Sequence, residues 1–254
     1  MPCNHRAMGD GMPEPLLVFD RTLVMDSLAL TGMVLCDLAD EAAGRPCSEL
    51  LPSLSALYER LVALRASQPE ARVLIITELL DQQSSLQEGI AMLDALQGLC
   101  QGGRCRVMVC TAQTDPLLLK AVVNRSPSVV VLRQESLGVL RQALRMAGGA
   151  WPDTVMSPAV TEGLMLTREV NLTPHELECL VTQADGLGLK TSAKVMNISY
   201  RTVAAYRQNL SKRSDQGRQM TFSWRIAQMQ KPGGPRCGYE ILDLKKKIKD
   251  ERTR

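Results

Sequence analysis

Val73-Leu74-Ile75-Ile76, running into Thr77-Glu78, is the stretch on which the fold turns. Four consecutive apolar residues, three of them β-branched, leave no polar face for solvent. A strand of that kind is covered on both sides, as in a parallel sheet sandwiched between helices. Working outward, Val107-Met108-Val109-Cys110 and Val129-Val130-Val131-Leu132 repeat the pattern, and Leu16-Leu17-Val18-Phe19 is a shorter first candidate. Helical spacing follows from Leu23 to Leu38. It recurs at Leu54, Leu57, Leu61 and Leu64, and again over Ile90–Leu99, Pro116–Val123 and Leu137–Met146. One more strand is expected between Cys36 and Ser55. The alternation predicts an α/β doubly wound parallel sheet over residues 14–148.

The 254 residues are 45% hydrophobic and only 3% aromatic, so aliphatic side chains must build the core. A net charge of +3 says little about partners. Eight cysteines include no CxxC pair, and with two histidines they offer no standard metal spacing. Cys100, Cys105 and Cys110 therefore read as free thiols, and neither metal nor cofactor is expected. Met1–Gly11 has no apolar core like that of a signal peptide. No apolar run approaches the roughly 20 residues that span a bilayer. A cytoplasmic protein without membrane contact is expected.

After Gly148-Gly149, residues 149–170 read as a linker with a short helix. A small all-α domain is expected over 171–222, then a basic tail over 223–254 in which Lys231-Pro232-Gly233-Gly234-Pro235 admits neither helix nor central strand. Leu172-Thr173-Pro174-His175-Glu176 is a helix start: Thr173 caps, Pro174 suits the first turn, and Glu176 stands at the capping-box position. Leu177, Leu180 and Val181 form its buried stripe, and Gly186 ends it. A second helix is expected over Thr191–Met196, a turn at Asn197-Ile198-Ser199, and a third helix from Tyr200 to Lys212. Between Leu189 and Arg213 stand Lys190, Lys194, Arg201, Arg207, Lys212 and Arg213, without a single Asp or Glu. Such a stretch can neutralise phosphates and release counterions. Two short helices joined by a tight turn, the second basic, suit a helix laid in the major groove.

"LTPHELECL" (172–180) and "NISYRTVAAYRQNLSKR" (197–213) resemble the LuxR-type helix-turn-helix of response-regulator transcription factors. That resemblance implies that Thr202 and Val203 open the recognition helix, with Val203 inward. Ala204, Ala205 and Gln208 would face base edges, while Lys190, Thr191, Arg201, Arg207 and Lys212 would meet phosphates. Alanines can touch thymine methyls but carry little hydrogen-bond information, which leaves Gln208 as the direct reader. Relatives follow this helix with a turn and a dimerising fourth helix. Here Arg213 leads into Ser214-Asp215-Gln216-Gly217-Arg218, and Met220–Met229 has only a thin apolar face.

The strand–helix alternation ahead of that domain resembles a response-regulator receiver. A working receiver holds Mg²⁺ with an acidic pair after its first strand and phosphorylates an Asp ending the third. By this resemblance Asp20 is one of the acids, with Arg21 beside it opposing a cation. Glu78 replaces the phosphoacceptor, Thr111 is the switch hydroxyl, and Arg133 takes the place of the Lys. Either Glu78 mimics a phosphorylated Asp through a contact to Arg133 or Thr111, or the site has decayed to a scaffold. "VLIITELL…QEGI" further resembles atypical enteric response regulators related to the capsule-synthesis system, some of which pair with a conventional response regulator.

These resemblances imply a DNA-binding, phosphorylation-independent transcription regulator. Its expected partners are double-stranded DNA and a response regulator, as hetero- or homodimer. The alternative is an interaction protein that sequesters a related regulator without binding DNA. An enzyme is not expected, since the chain has no P-loop, GxGxxG turn, GxSxG elbow or His-based site.

Overall fold

A computed structural model of the chain describes residues 6–7, 19–100, 103–149, 153–165 and 172–214. The first unit contains strands β1 (Arg6–Ala7), β2 (Arg21–Met25), β3 (Ser48–Leu51), β4 (Val73–Thr77), β5 (Cys105–Thr111), β6 (Val129–Leu132) and β7 (Val155–Met156). Its helices are α1 (Ala29–Ala43), α2 (Leu54–Ser67), α3 (Leu86–Leu99), α4 (Pro116–Val123), α5 (Leu137–Ala147) and α6 (Pro158–Met165). All strand pairs are parallel, in the order β1-β7-β6-β5-β4-β2-β3.

The fully apolar strands behave as their composition requires. Leu23, Met25, Val73, Ile75, Val107, Val109 and Val130 point into one core with the leucines of α2, α3 and α4. Their neighbours Val24, Leu74, Ile76, Met108, Val129 and Val131 point into a second core under α1 and α5. Each such side chain contributes roughly 1.5–3 kcal/mol on burial, and only a sheet covered on both faces buries both sets. The sheet is doubly wound. Gly89 of α3 lets that helix approach the preceding loop, since a Cβ there would fall 2.0 Å from the Leu79 carbonyl oxygen.

Three sequence expectations need correction. Among the described residues the first long strand is Arg21–Met25, which takes in Leu23 where helix was expected to begin, and the helix after it starts at Ala29. Thr22 made this strand look half polar, yet it is buried, its hydroxyl 3.8 Å from Cys47 Sγ. Residues 16–18 lie outside the described residues, and Phe19 packs in the second core. Part of the expected linker, Val155–Met156, extends the sheet beside β6, and α6 packs after it. The strand expected between Cys36 and Ser55 is β3.

The second unit holds α7 (Pro174–Ala184), α8 (Leu189–Val195) and α9 (Tyr200–Ser214). Thr173 and Glu176 form the capping box that the sequence predicts. Gly186, at φ 76°, ends α7: its N–H donates to Gln183 O (2.9 Å) and that of Leu187 to Thr182 O (3.1 Å). Asn197, at φ 55°, closes α8 in the same manner, with Asn197 N–H to Lys194 O (3.2 Å) and Ile198 N–H to Ala193 O (3.0 Å). Both are left-handed C-cap motifs that use up orphan carbonyls. Ser199 then caps α9, its Oγ accepting from Thr202 N at 3.1 Å. The tail and the Met220–Met229 segment lie outside the described residues.

Candidate functional site

Two places in the fold gather charged and polar side chains. The first is the crevice at the carboxyl ends of β2 and β4, where the strand order reverses and α/β sheets place their sites. An open cleft of about 540 Å³ lies here, lined by Asp26, Ser53 and Asp81 among others. Glu78 follows β4 and is 4% exposed. Its Oε1 accepts from Thr111 Oγ1 at 2.5 Å and Leu79 N at 2.7 Å, and its Oε2 from Ala112 N at 2.7 Å. Arg133, after β6, places Nη2 2.9 Å from Glu78 Oε2 and 2.9 Å from Asp26 Oδ2. Burial pushes the Glu78 carboxyl above its ordinary value, against the opposing pull of Thr111, Arg133, Ala112 and Leu79. Burial likewise raises Asp26, opposed by Leu28 N–H and Arg133.

Three of the four residues assigned to this site by resemblance, Glu78, Thr111 and Arg133, stand in direct contact. Asp20 does not join them. Because the strand starts at Arg21, Asp20 precedes it and lies at the opposite, amino ends of the strands, where its Oδ2 accepts from Arg72 N at 2.8 Å. Arg45 and Arg72 pair with its carboxylate there, each at 3.6 Å. The acid at the working end is Asp26, which sequence reading missed. Its signal was available, since Asp26 directly ends the Leu23-Val24-Met25 run.

The second place is the outer surface of α9. Val203 and Leu210 are fully buried against α7 and α8, and Tyr206 stacks on His175 with ring centroids 6.2 Å apart. Inward anchors at these positions turn Arg201, Ala205, Gln208 and Lys212 outward. Spaced at three- and four-residue intervals, they form one exposed ridge. Arg207 is exposed on one flank of the ridge and Asn209 on the other, while Thr202 and Ala204 are half-buried beside it. On α8, Lys190 is exposed and Thr191 half-buried. Apart from Asn209, these are the nine residues that the sequence singled out, and their exposure follows the helix periods. Asn209, equally exposed, was not singled out by the sequence.

Residues 170–213 match the family model described as bacterial regulatory proteins, luxR family. The second unit is a LuxR-type helix-turn-helix. The solved structural neighbours of the whole chain include RcsB from Salmonella enterica serovar Typhimurium bound to promoter rprA in the presence of phosphomimetic BeF3-. That structure shares 17% identity at a TM-score of 0.61, over 82% of this chain and 98% of the other. A Salmonella typhimurium RcsB response regulator follows with 17% identity, TM-score 0.54 and coverage of 84% and 99%. RcsB as two dimers bound to two parallel DNAs gives 20% identity, TM-score 0.50 and coverage of 75% and 89%. Identities at this level establish the fold, a receiver-like sheet followed by the helix-turn-helix. No curated protein matches the sequence.

The LuxR-type unit is seated on the sheet unit through α7. Cys179, Leu180, Val181 and Ala184 join the same apolar core as Leu86, Leu93, Leu118 and Val122. Asp185, the C-cap of α7, accepts from Leu86 N at 2.7 Å and Gln87 N at 2.9 Å, which closes the first turn of α3. The ridge on α9 stays exposed in this arrangement. Among the described residues no helix is long and apolar enough to cross a membrane.

Proposed function

We propose that the chain is a cytoplasmic DNA-binding transcription regulator that reads duplex DNA with α9 and works without phosphorylation. The observation that carries this reading is the exposed ridge of Arg201, Ala205, Gln208 and Lys212, set on a doubly capped LuxR-type frame in a stretch devoid of acids. Arg201, Arg207, Lys212, Lys190 and Thr191 take phosphates, Gln208 reads a base edge, and Ala204, Ala205 and Thr202 line the groove beside it. Binding is measured by fluorescence anisotropy on promoter fragments across a salt series. Each of Arg207→Ala and Lys212→Ala should weaken binding on all sequences and lower the salt slope by about 0.9. Affinity and slope unchanged in both variants would sink the assignment.

Phosphorylation independence is supported by the occupancy of Glu78. Both its oxygens are engaged by protein donors, and a Glu carboxylate extends one methylene further than Asp, toward Thr111. On this reading the receiver-like unit is degenerate, like the atypical enteric regulators that it resembles, and is held near an activated arrangement with no catalytic step of its own. Treatment with acetyl phosphate should leave Glu78 and Asp26 unlabelled and DNA affinity unchanged. Labelling with a rise in affinity overturns this part.

The regulator acts with a partner response regulator as a mixed dimer. The sequestering alternative is separated from this by repeating the titration with the partner regulator present: a sequestering protein would bind no DNA alone and would lower its partner's affinity.

A further inference from the structure

The seven exposed large apolar side chains among the described residues are not scattered. Five of them, Leu28, Leu30, Met33, Val34 and Leu137, lie where α1 and α5 begin. Leu30 is 77% exposed and Met33 58%. Leu28 is the N-cap of α1 and makes no side-chain cap hydrogen bond, at a position where Ser, Thr or Asp would satisfy an orphan donor. This leucine does nothing for its own helix. Met165 and Tyr200 stand apart, on α6 and α9. Single exposed apolar residues need no explanation, but a group of them rimmed by charge marks a surface that meets another molecule.

Charge on the same face is divided by helix. α1 carries Asp37, Asp40 and Glu41 and no basic residue, while α5 carries Arg141 and Arg145 and no acid. Leu30, Val34, Asp37 and Glu41 follow one another at three- and four-residue steps, with Met33 beside Val34, so they share one exposed side of α1. Leu137, Arg141 and Arg145 do the same on α5. Both helices follow parallel strands and cover the same core, so they run in one direction, and Arg141 Nη2 reaches Glu41 Oε2 at 3.1 Å between them. Each helix thus begins apolar and ends charged, acidic on α1 and basic on α5. The LuxR-type unit packs on α3 and α4, and among the described residues none of its side chains belongs to the core under α1 and α5.

We propose that the α1–α5 face pairs two copies of this chain. A two-fold axis running along the helices sets α1 of each copy against α5 of the other, an isologous arrangement. The apolar starts then meet at one end. At the other, Asp37 and Glu41 of one copy face Arg141 and Arg145 of the second, and the exchange occurs twice. A partner with charge of one sign would satisfy only one of the two helices, whereas a second copy supplies both signs in the order that the face requires. The exposed Glu41–Arg141 pair within one copy is weak in water, and its charges remain available across the interface. The pairing describes the chain when no partner regulator is present. It covers no residue of α9 and does not rest on the reading of that helix.

The full-length protein, without DNA, is followed by sedimentation across a concentration series. The expected result is a reversible monomer–dimer equilibrium. Leu30→Ser combined with Met33→Ser should weaken it about tenfold or more. Asp37→Lys with Glu41→Lys should abolish pairing, and so should Arg141→Glu with Arg145→Glu, since like charges then oppose across the axis. Mixing these two charge variants should restore a dimer, because helices of opposite charge again meet on both sides. In the wild type, hydrogen exchange over residues 28–41 and 137–145 should slow as the concentration rises, which decides the matter even if a variant fails to fold. A chain that stays monomeric, a dimer that the substitutions leave unchanged, or protection that rises on other elements instead overturns the proposal. So does a monomer in which this face is already protected, since a segment of the same chain would then cover it.

Discussion

Asp185 of α7 hydrogen-bonds through Oδ1 to the Leu86 N–H of α3 at 2.7 Å, so a residue of the LuxR-type unit completes a helix of the receiver-like sheet. Its second oxygen takes Gln87 N–H at 2.9 Å, and Ser85 Oγ takes Glu88 N–H at 3.2 Å. Three of the four orphan donors of that helix end are thereby satisfied, two of them across ninety-eight or more residues of chain. Asp185→Ala should cost about 1–2 kcal/mol in urea unfolding, as loss of a helix N-cap does. Asp185→Asn, which keeps one acceptor oxygen, should cost less. Equal stability of all three proteins would show that the bond carries no weight.

Arg133 stands between two buried carboxylates. Its removal in Arg133→Ala leaves Asp26 and Glu78 facing each other without a cation, which should destabilise by about 3–5 kcal/mol at neutral pH. Both carboxyls are raised by burial, so they protonate as the pH falls through their raised values, and the penalty should shrink in acid. Denaturant titrations of both proteins at neutral and acidic pH test both halves of this expectation.

Gln87, in the first turn of α3, is 4% exposed, and neither its amide nitrogen nor its amide oxygen has a hydrogen-bond partner among the described residues. A buried amide left unpaired costs about 1–3 kcal/mol. Gln87→Met keeps the length of the side chain and removes the polar atoms, so it should raise the melting temperature. A lower melting temperature would mean that the amide is satisfied by solvent.

Asp81 supports an acid-dependent contribution of the opposite sign to that of Glu78. Burial pushes its carboxyl up, but the N–H groups of Leu54, Ser84 and Gln83 outweigh this and hold it below the ordinary value. A carboxyl depressed on folding stabilises at pH values above the ordinary carboxylate range and loses that effect as the pH falls through the depressed value. The wild type should exceed Asp81→Asn in stability at neutral pH, and the gap should close below about pH 4. A gap that does not change with pH would contradict this.

The sheet could be read from its strands because Val73–Ile76 and Val129–Leu132 are apolar on both faces, a composition with few other uses. Capping could be read at Thr173 and Glu176 for the same kind of reason: the interaction is local, and both partners lie within one turn. Asp20 was misplaced because an apolar run that precedes a strand resembles the strand itself, and only the pairing of Arg21 with Val73 fixes the true start. The contact between Asp185 and Leu86 had no local signature. It depends on how two units come together, and an Asp before a Gly at a helix end reads equally well as a simple terminator. Glu78, Thr111 and Arg133 could be named only because a family pattern aligned three strand ends. Two of the hydrogen bonds that hold Glu78 in place come from the backbone of the β5–α4 and β4–α3 loops, at Ala112 and Leu79, whose course no periodicity encodes.

The apolar core that begins at Leu23 and Ile75 does not stop at the end of the sheet unit but runs on through Cys179 and Leu180 to Val203 and Leu210. The functional division of the chain is therefore not a division in its folding. A fragment ending near residue 165 would bare the faces of α3 and α4 that α7 covers. A fragment beginning near residue 170 would bare Leu180 and Val181. Each piece would be sticky where the intact chain is sealed, and heat should melt the two units in one transition rather than two.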